Sequence, residues 1–385
     1  MIPYGKQDIN QADIDAVVSV LNSDFLTQGP QVPLFENAVS NYCNVDFGIA
    51  VNSATSALHI ACLALGLKEG DWLWTSPNSF VASANCGLYC GAKVDFIDID
   101  TKTYNLSINK LEKKLIQAKK ENKLPKILIP VHFAGQSCRM KEINDLSKQY
   151  GFHVIEDASH AIGGKYLDSP IGSCKYSDIT VFSFHPVKII TTAEGGLATT
   201  NSKKLAEKMQ IYRSHGVTRN EELMNKTSEG GWYYQQVDLG FNYRMTELQA
   251  ALGISQMKRL DKFVAKRHII KRRYDSLLSD FPVIIPYQDK SCYSALHLYP
   301  IQLELNKIGK SRNQIFDKMR SSGIGVNVHY IPIHTHPYYQ NLGFKEGNFP
   351  ITELYYNRAI SVPLFHTMTF EQQDEVVDVL NKILQ

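Results

Sequence analysis

The chain has 385 residues, 44% of them hydrophobic and 21% charged, with a net charge of only +3. That length exceeds what one hydrophobic core fills, so a large domain over 1–255 and a smaller one over 256–385 are expected. The near-neutral balance, with lysines spread along the sequence, lacks the footprint of a nucleic-acid binder, and no stretch approaches the ~20 apolar residues of a membrane span.

The first residues carry no apolar segment of signal-peptide type. Seven cysteines (Cys43, Cys62, Cys86, Cys90, Cys138, Cys174 and Cys292) are scattered without CxxC pairs. They read as reduced thiols of a cytoplasmic protein, with no metal site. Beyond residue 46, short apolar runs alternate with helical patterns. Strands are expected over 47–51, 71–76, 94–98, 127–131, 153–156, 179–184 and 196–199, and helices over 54–65, 80–87, 109–120 and 140–150. Most of the runs are unbroken, as in strands buried on both faces. The alternation predicts an α/β fold with a mainly parallel seven-stranded sheet. A long helix over 246–278 is expected to leave the large domain, its basic run 262–273 reading as a solvated face. Strands over 298–303 and 326–330, with helices over 311–321 and 370–384, predict a smaller α/β C-terminal domain. The extreme N-terminus is expected to pack on it.

Ligands in such sheets bind beyond the carboxyl ends of the strands, and Asp157, Ser183 and Lys188 fall on that edge. Lys188 lies in Phe182-Ser183-Phe184-His185-Pro186-Val187-Lys188, followed by Ile189-Ile190-Thr191-Thr192-Ala193-Glu194-Gly195-Gly196. A lysine and an aspartate, each after a buried strand, are the pair that pyridoxal phosphate requires. The threonines and glycines behind Lys188 are expected to let a cofactor approach the backbone. Asn52-Ser53-Ala54-Thr55-Ser56 opens a helix after a strand, with Ser53 as N-cap, and free N–H groups there attract phosphate. It is also a common helix start. Phe80 reads as either core or a flat wall for a pyridine ring. His160 reads as a core histidine or a cofactor contact, and His185 and Glu194 as supports beside the lysine.

Together these motifs resemble the DegT/DnrJ/EryC1/StrS family of sugar aminotransferases, which have the fold type I architecture. The likeness runs through Leu26-Thr27-Gln28-Gly29, Asn52 to Leu58, Glu156-Asp157-Ala158-Ser159-His160-Ala161, Phe182 to Gly196, Arg213-Ser214-His215-Gly216 and Gly240-Phe241-Asn242-Tyr243-Arg244. The resemblance implies pyridoxal 5′-phosphate bound as a Schiff base to Lys188, with Asp157 on the pyridine nitrogen. It implies Phe80 stacked on the ring, His160 at its edge, and Ala54, Thr55 and Ser183 at the phosphate. It also implies Asn242 given to that phosphate by a neighbouring subunit of a homodimer. Tyr4, Lys6, Thr27, Gln28, His185, Arg213, His329 and Tyr330 fall near the sugar nucleotide by the same likeness, and Arg244 is a further cation for anionic groups.

A finer likeness, including Val328-His329-Tyr330-Ile331-Pro332, is to the pseudaminic acid branch of the family. It implies UDP-2-acetamido-2,6-dideoxy-β-L-arabino-hex-4-ulose as substrate and L-glutamate as donor. The alternatives are a GDP- or dTDP-linked 4-keto sugar, a PLP-dependent sugar dehydratase, or a PLP-binding regulator without catalysis. Related dehydratases carry histidine where this chain has Lys188, and no DNA-binding element is legible.

Overall fold

The computed structural model describes residues 1–385. The main sheet comprises β1 (Phe47–Val51), β2 (Trp72–Thr75), β3 (Lys93–Phe96), β4 (Ile127–Ile129), β5 (His153–Asp157), β6 (Ile179–Ser183) and β7 (Gly196–Thr200). Their spatial order is β1-β7-β6-β5-β4-β2-β3. Only β7 runs antiparallel to its neighbours; the pairs β2–β3, β2–β4, β4–β5 and β5–β6 are parallel. β6 and β7 are buried along their whole length, because helices cover both faces and an unbroken apolar strand fits only there. On one face Ala54–Ala64 and Ala82–Tyr89 bring Leu58, Ile60, Ala61 and Cys86 against the sheet. On the other, Ile108–Glu121 and Met140–Tyr150 bring Leu111, Leu115, Ile143 and Leu146. This is the fold type I arrangement.

Every expected strand of the main sheet forms. The expected helix over 246–278 does not run through: it is two helices, Glu247–Met257 and Leu260–Leu277. The backbone leaves helical geometry at Arg259 (φ −113°, ψ 1°), whose guanidinium pairs with Asp8 at 2.8 Å and with Asp13. The second helix then straddles two cores, Phe263 packing under the main sheet and Ile270 and Tyr274 joining the C-terminal core.

The expected strand over 326–330 is also absent. Only Asn327 bridges to Ser361, because His329 and Tyr330 turn into a cleft. The C-terminal sheet is instead Val283–Ile284, Tyr299–Leu303 and Ala359–Val362, all antiparallel. The chain start joins this unit. Ile2 belongs to its core, bridges Ile324, donates to the Gly323 carbonyl at 2.8 Å and accepts from Gly325 at 2.7 Å. No helix is long and apolar enough to cross a membrane.

Candidate active site

A cleft of about 1190 Å³ opens at the carboxyl edge of the main sheet. Its floor comes from the ends of β5 and β6 and the start of helix Ala54–Ala64, its far wall from residues 327–331, with Tyr4 beside them.

Lys188 stands on the loop that joins β6 to β7. That loop is tied to itself: Phe184 donates to Gly195 at 2.9 Å, Thr192 to Phe184 at 3.0 Å, and Lys188 N–H to His185 at 2.9 Å. Burial strips hydration from the ammonium and brings Lys188 down to about 8, against the opposing pull of the Asp157 carboxylate. The threonines and glycines behind it do not face the cleft. Thr191 and Thr192 are buried and bond Phe184 and Glu194 carbonyls. A Cβ on Gly196 would lie 2.4 Å from the Ala54 nitrogen. These residues let β7 approach the helix start, and the room they make is taken by the chain itself.

Asp157, at the end of β5, is buried and held by three donors. Ser83 reaches Oδ2 at 2.6 Å, and the Ser159 hydroxyl and N–H reach Oδ1 at 2.6 and 3.1 Å. Such bonds satisfy a buried carboxylate and fix its direction. The preceding Glu156 points to the opposite face of the strand, where His132 and Ser177 engage it at 2.6 and 2.5 Å. Alternation therefore gives only one of the two acids to the cleft.

Three histidines cluster behind the lysine. His160 Nε2 lies 2.9 Å from the Tyr330 hydroxyl, its ring 4.4 Å from that of His297, and its buried Nδ1 has no partner in the chain. Burial first, then the Lys188 charge, push His160 well below its ordinary range. His329 is pulled down to about 3 by burial and Lys188, with Nδ1 2.8 Å from Ser361 Oγ. Both imidazoles are neutral near pH 7.

Helix Ala54–Ala64 starts at Ser53, whose hydroxyl accepts from Ser56 N–H, leaving the first turn's Ala54 and Thr55 facing the cleft. Ser183 is buried at the end of β6 and lines the same cleft. Phe80 precedes helix Ala82–Tyr89 and is 61% exposed on the cleft wall, so it is not core. An amine, a fixed carboxylate, an open helix start, an apolar wall and an unpartnered imidazole nitrogen fit pyridoxal phosphate.

Not every expected residue is in the cleft. Tyr4, Phe80, His185, His329 and Tyr330 line it; His185 is 4.0 Å from Glu194. Lys6, Thr27, Gln28 and Asn242 are exposed outside its walls. Arg213 is engaged elsewhere, 2.5 Å from Glu36 and 2.8 Å from the Ala50 carbonyl, and Arg244 bonds Ser214 at 3.0 Å. Sequence reasoning did not find Ser83, His297, Gln249 or Asn327 as site residues; Ser83 lies 74 positions from Asp157, a separation no local pattern reports.

The profile of the DegT/DnrJ/EryC1/StrS aminotransferase family matches residues 7–381. A Campylobacter jejuni protein named UDP-4-amino-4,6-dideoxy-N-acetyl-beta-L-altrosamine transaminase is 38% identical over 386 residues, covering 100% of this chain and 98% of the relative. Helicobacter pylori PseC, an aminotransferase involved in the biosynthesis of pseudoaminic acid, superposes with a TM-score of 0.90 at 32% identity, covering 100% of this chain and 99% of that one. The PLP form of Spr1654 from Streptococcus pneumoniae gives 0.88 at 29% identity, covering 100% and 98%.

Proposed function

The chain belongs to the DegT/DnrJ/EryC1/StrS aminotransferase family, as a PLP-dependent sugar aminotransferase; from that premise we propose that it carries an amino group from L-glutamate to C4 of a UDP-linked 4-keto-6-deoxy-N-acetylhexosamine. The sugar in this reading is UDP-2-acetamido-2,6-dideoxy-β-L-arabino-hex-4-ulose and the route is pseudaminic acid biosynthesis. The observation that carries it is the amine of Lys188 and the carboxylate of Asp157 in one cleft, within a chain similar from end to end to a transaminase named for that amino sugar.

When bound, pyridoxal phosphate supplies an electron sink for the carbanion. Lys188 would hold it as the attachment point, and its free amine would serve as a general base. Its lowered basicity suits it to take the proton from Cα of the donor and later to deliver one to C4 of the sugar. Asp157, fixed by Ser83 and Ser159, keeps a proton on the ring nitrogen. Ala54 and Thr55 N–H groups with the Ser183 hydroxyl would hold the phosphate at a helix start, Phe80 would supply an apolar wall for the ring, and neutral His160 would offer it a hydrogen bond.

Asn242, exposed and turned from its own cleft, fits service to the phosphate of a neighbouring copy, which makes the unit a homodimer with shared sites. Tyr4, His185, His329 and Tyr330 are the substrate contacts supported within one chain. Arg213 can reach a sugar nucleotide only after leaving Glu36 and the Ala50 carbonyl, while Lys6, Thr27 and Gln28 stand exposed outside this cleft. The chain divides at residue 255 in this reading, with helix Leu260–Leu277 as the strut between the two units.

The test is purified protein with PLP, L-glutamate and a panel of UDP-, GDP- and dTDP-linked 4-keto sugars, followed by 2-oxoglutarate release. Turnover of the UDP sugar is expected. Turnover only of a GDP- or dTDP-linked sugar would sink the pseudaminic reading and leave the aminotransferase intact.

A further inference from the structure

Asn242 is exposed, but the residues on either side of it are not free. Phe241 and Tyr243 stack on each other, 4.9 Å apart at 12°. Both lean on His59, at 4.8 and 6.0 Å, and the Tyr243 hydroxyl lies 3.2 Å from His59 Nδ1. Side chains alternate along an extended segment, so anchoring 241 and 243 inward turns 242 outward. Backbone bonds clamp the segment from two sides: Phe241 donates to Tyr212 at 2.7 Å, His215 to Phe241 at 2.8 Å, Tyr243 to Arg213 at 3.0 Å, and Asn52 to Tyr243 at 2.8 Å. The approach is close enough that a Cβ on Gly240 would lie 1.9 Å from the Gly216 nitrogen.

His59 itself is 5% exposed. It sits on the helix whose first turn opens into the chain's own cleft, yet it forms no part of that cleft. A buried imidazole with a hydrogen-bonded tyrosine and two aromatic faces is more than apolar filling would need. We propose that His59 is a positioning residue for the neighbouring subunit: through Phe241 and the Tyr243 hydroxyl it sets the direction in which Asn242 leaves this chain for the other chain's phosphate. The inference rests on the reading that Asn242 serves a neighbouring cleft. It adds that one helix does two tasks, cradling its own phosphate with its first turn and aiming the arm for the other from its second.

The test uses mixed dimers carrying two affinity tags. One chain bears Lys188→Ala, so only the other, live chain gives the visible absorbance of lysine-bound cofactor when apo dimer is titrated with PLP. With His59→Phe on the Lys188→Ala chain, the live cleft receives Asn242 from the altered chain, and its apparent Kd for PLP rises about fivefold, the worth of one ordering hydrogen bond. With His59→Phe on the live chain, the Kd stays at the unsubstituted value. Tyr243→Phe, which deletes only the hydroxyl, follows the same pattern and stands in should His59→Phe fail to fold.

Weakening only when the substitution is on the live chain overturns the inference. Asn242→Ala on the Lys188→Ala chain separates the two claims. If it weakens the live cleft while the His59 and Tyr243 variants do not, the positioning role falls alone. If it has no effect, or no two-tagged dimer forms, the shared-site reading falls and takes the inference with it.

Discussion

The hydroxyl of Tyr330 lies 2.9 Å from Nε2 of His160, so a side-chain hydrogen bond inside the cleft ties the C-terminal third of the chain to the edge of the main sheet. The partner is neutral, because burial first and then the nearby Lys188 ammonium disfavour the imidazolium. A neutral hydrogen-bonding replacement should therefore serve. His160→Gln is expected to retain most of the affinity for PLP, whereas His160→Leu loses about tenfold. Tyr330→Phe, leaving Nε2 without its partner, is expected to fall between them. Titration of apo protein with PLP, read by the visible band, ranks the three; a His160→Gln as weak as His160→Leu would refute the neutral role.

Lys188 titrates near 8 because it is buried, with Asp157 acting in the opposite sense. Only the neutral amine attacks an aldehyde, so the rate at which apo protein takes up PLP should climb about tenfold per pH unit below 8 and flatten above it. Asp157→Asn removes the charge that favours the ammonium, so the bend moves to lower pH. The same change is expected to cut turnover at least about 100-fold. Lys188→Ala abolishes the visible band, and an unchanged spectrum would rule this lysine out.

Cys90 is half-buried, and the neighbouring Cys62 thiol, with His59 and against the effect of burial, holds its thiol below its ordinary range. Burial instead pushes Cys43, Cys62, Cys138, Cys174 and Cys292 up. At pH 7 iodoacetamide should modify Cys90 before those five, since the thiolate is the reactive form. Labelling should persist to lower pH than that of an ordinary thiol and fall as the thiolate is protonated. Peptide mapping after brief exposure checks this, and His59→Phe should slow the labelling.

Arg267 is 1% exposed and donates to the carbonyls of Leu296, His297 and Leu364 at 3.1, 3.2 and 2.9 Å. Arg267→Ala leaves three buried acceptors bare and should cost about 3 kcal/mol or more. The urea midpoint of unfolding is expected to drop by about 1 M. An unmoved midpoint would mean that water replaces the guanidinium without penalty.

The main sheet was legible because strands buried on both faces leave unbroken apolar runs, and Lys188 and Asp157 were legible because both stand just where such runs end. What depends on distant partners was not. Residues 326–330 alternate like a strand, yet only Asn327 pairs, with Ser361. The helix break falls at Arg259, whose partners Asp8 and Asp13 lie some 250 positions away in sequence. Thr192 and Gly196 carry the composition of a ligand-binding loop, but the ligand they admit is the chain's own backbone.

Ile2 and Tyr4 are tied to Gly323, Gly325 and Leu364. A ribosome adding about 5–20 residues per second delivers those partners tens of seconds after the segment that needs them. The wall beside Tyr4 is therefore among the last parts of the molecule to take shape, and nascent chains released early should expose an unsatisfied N-terminal segment to proteases or chaperones.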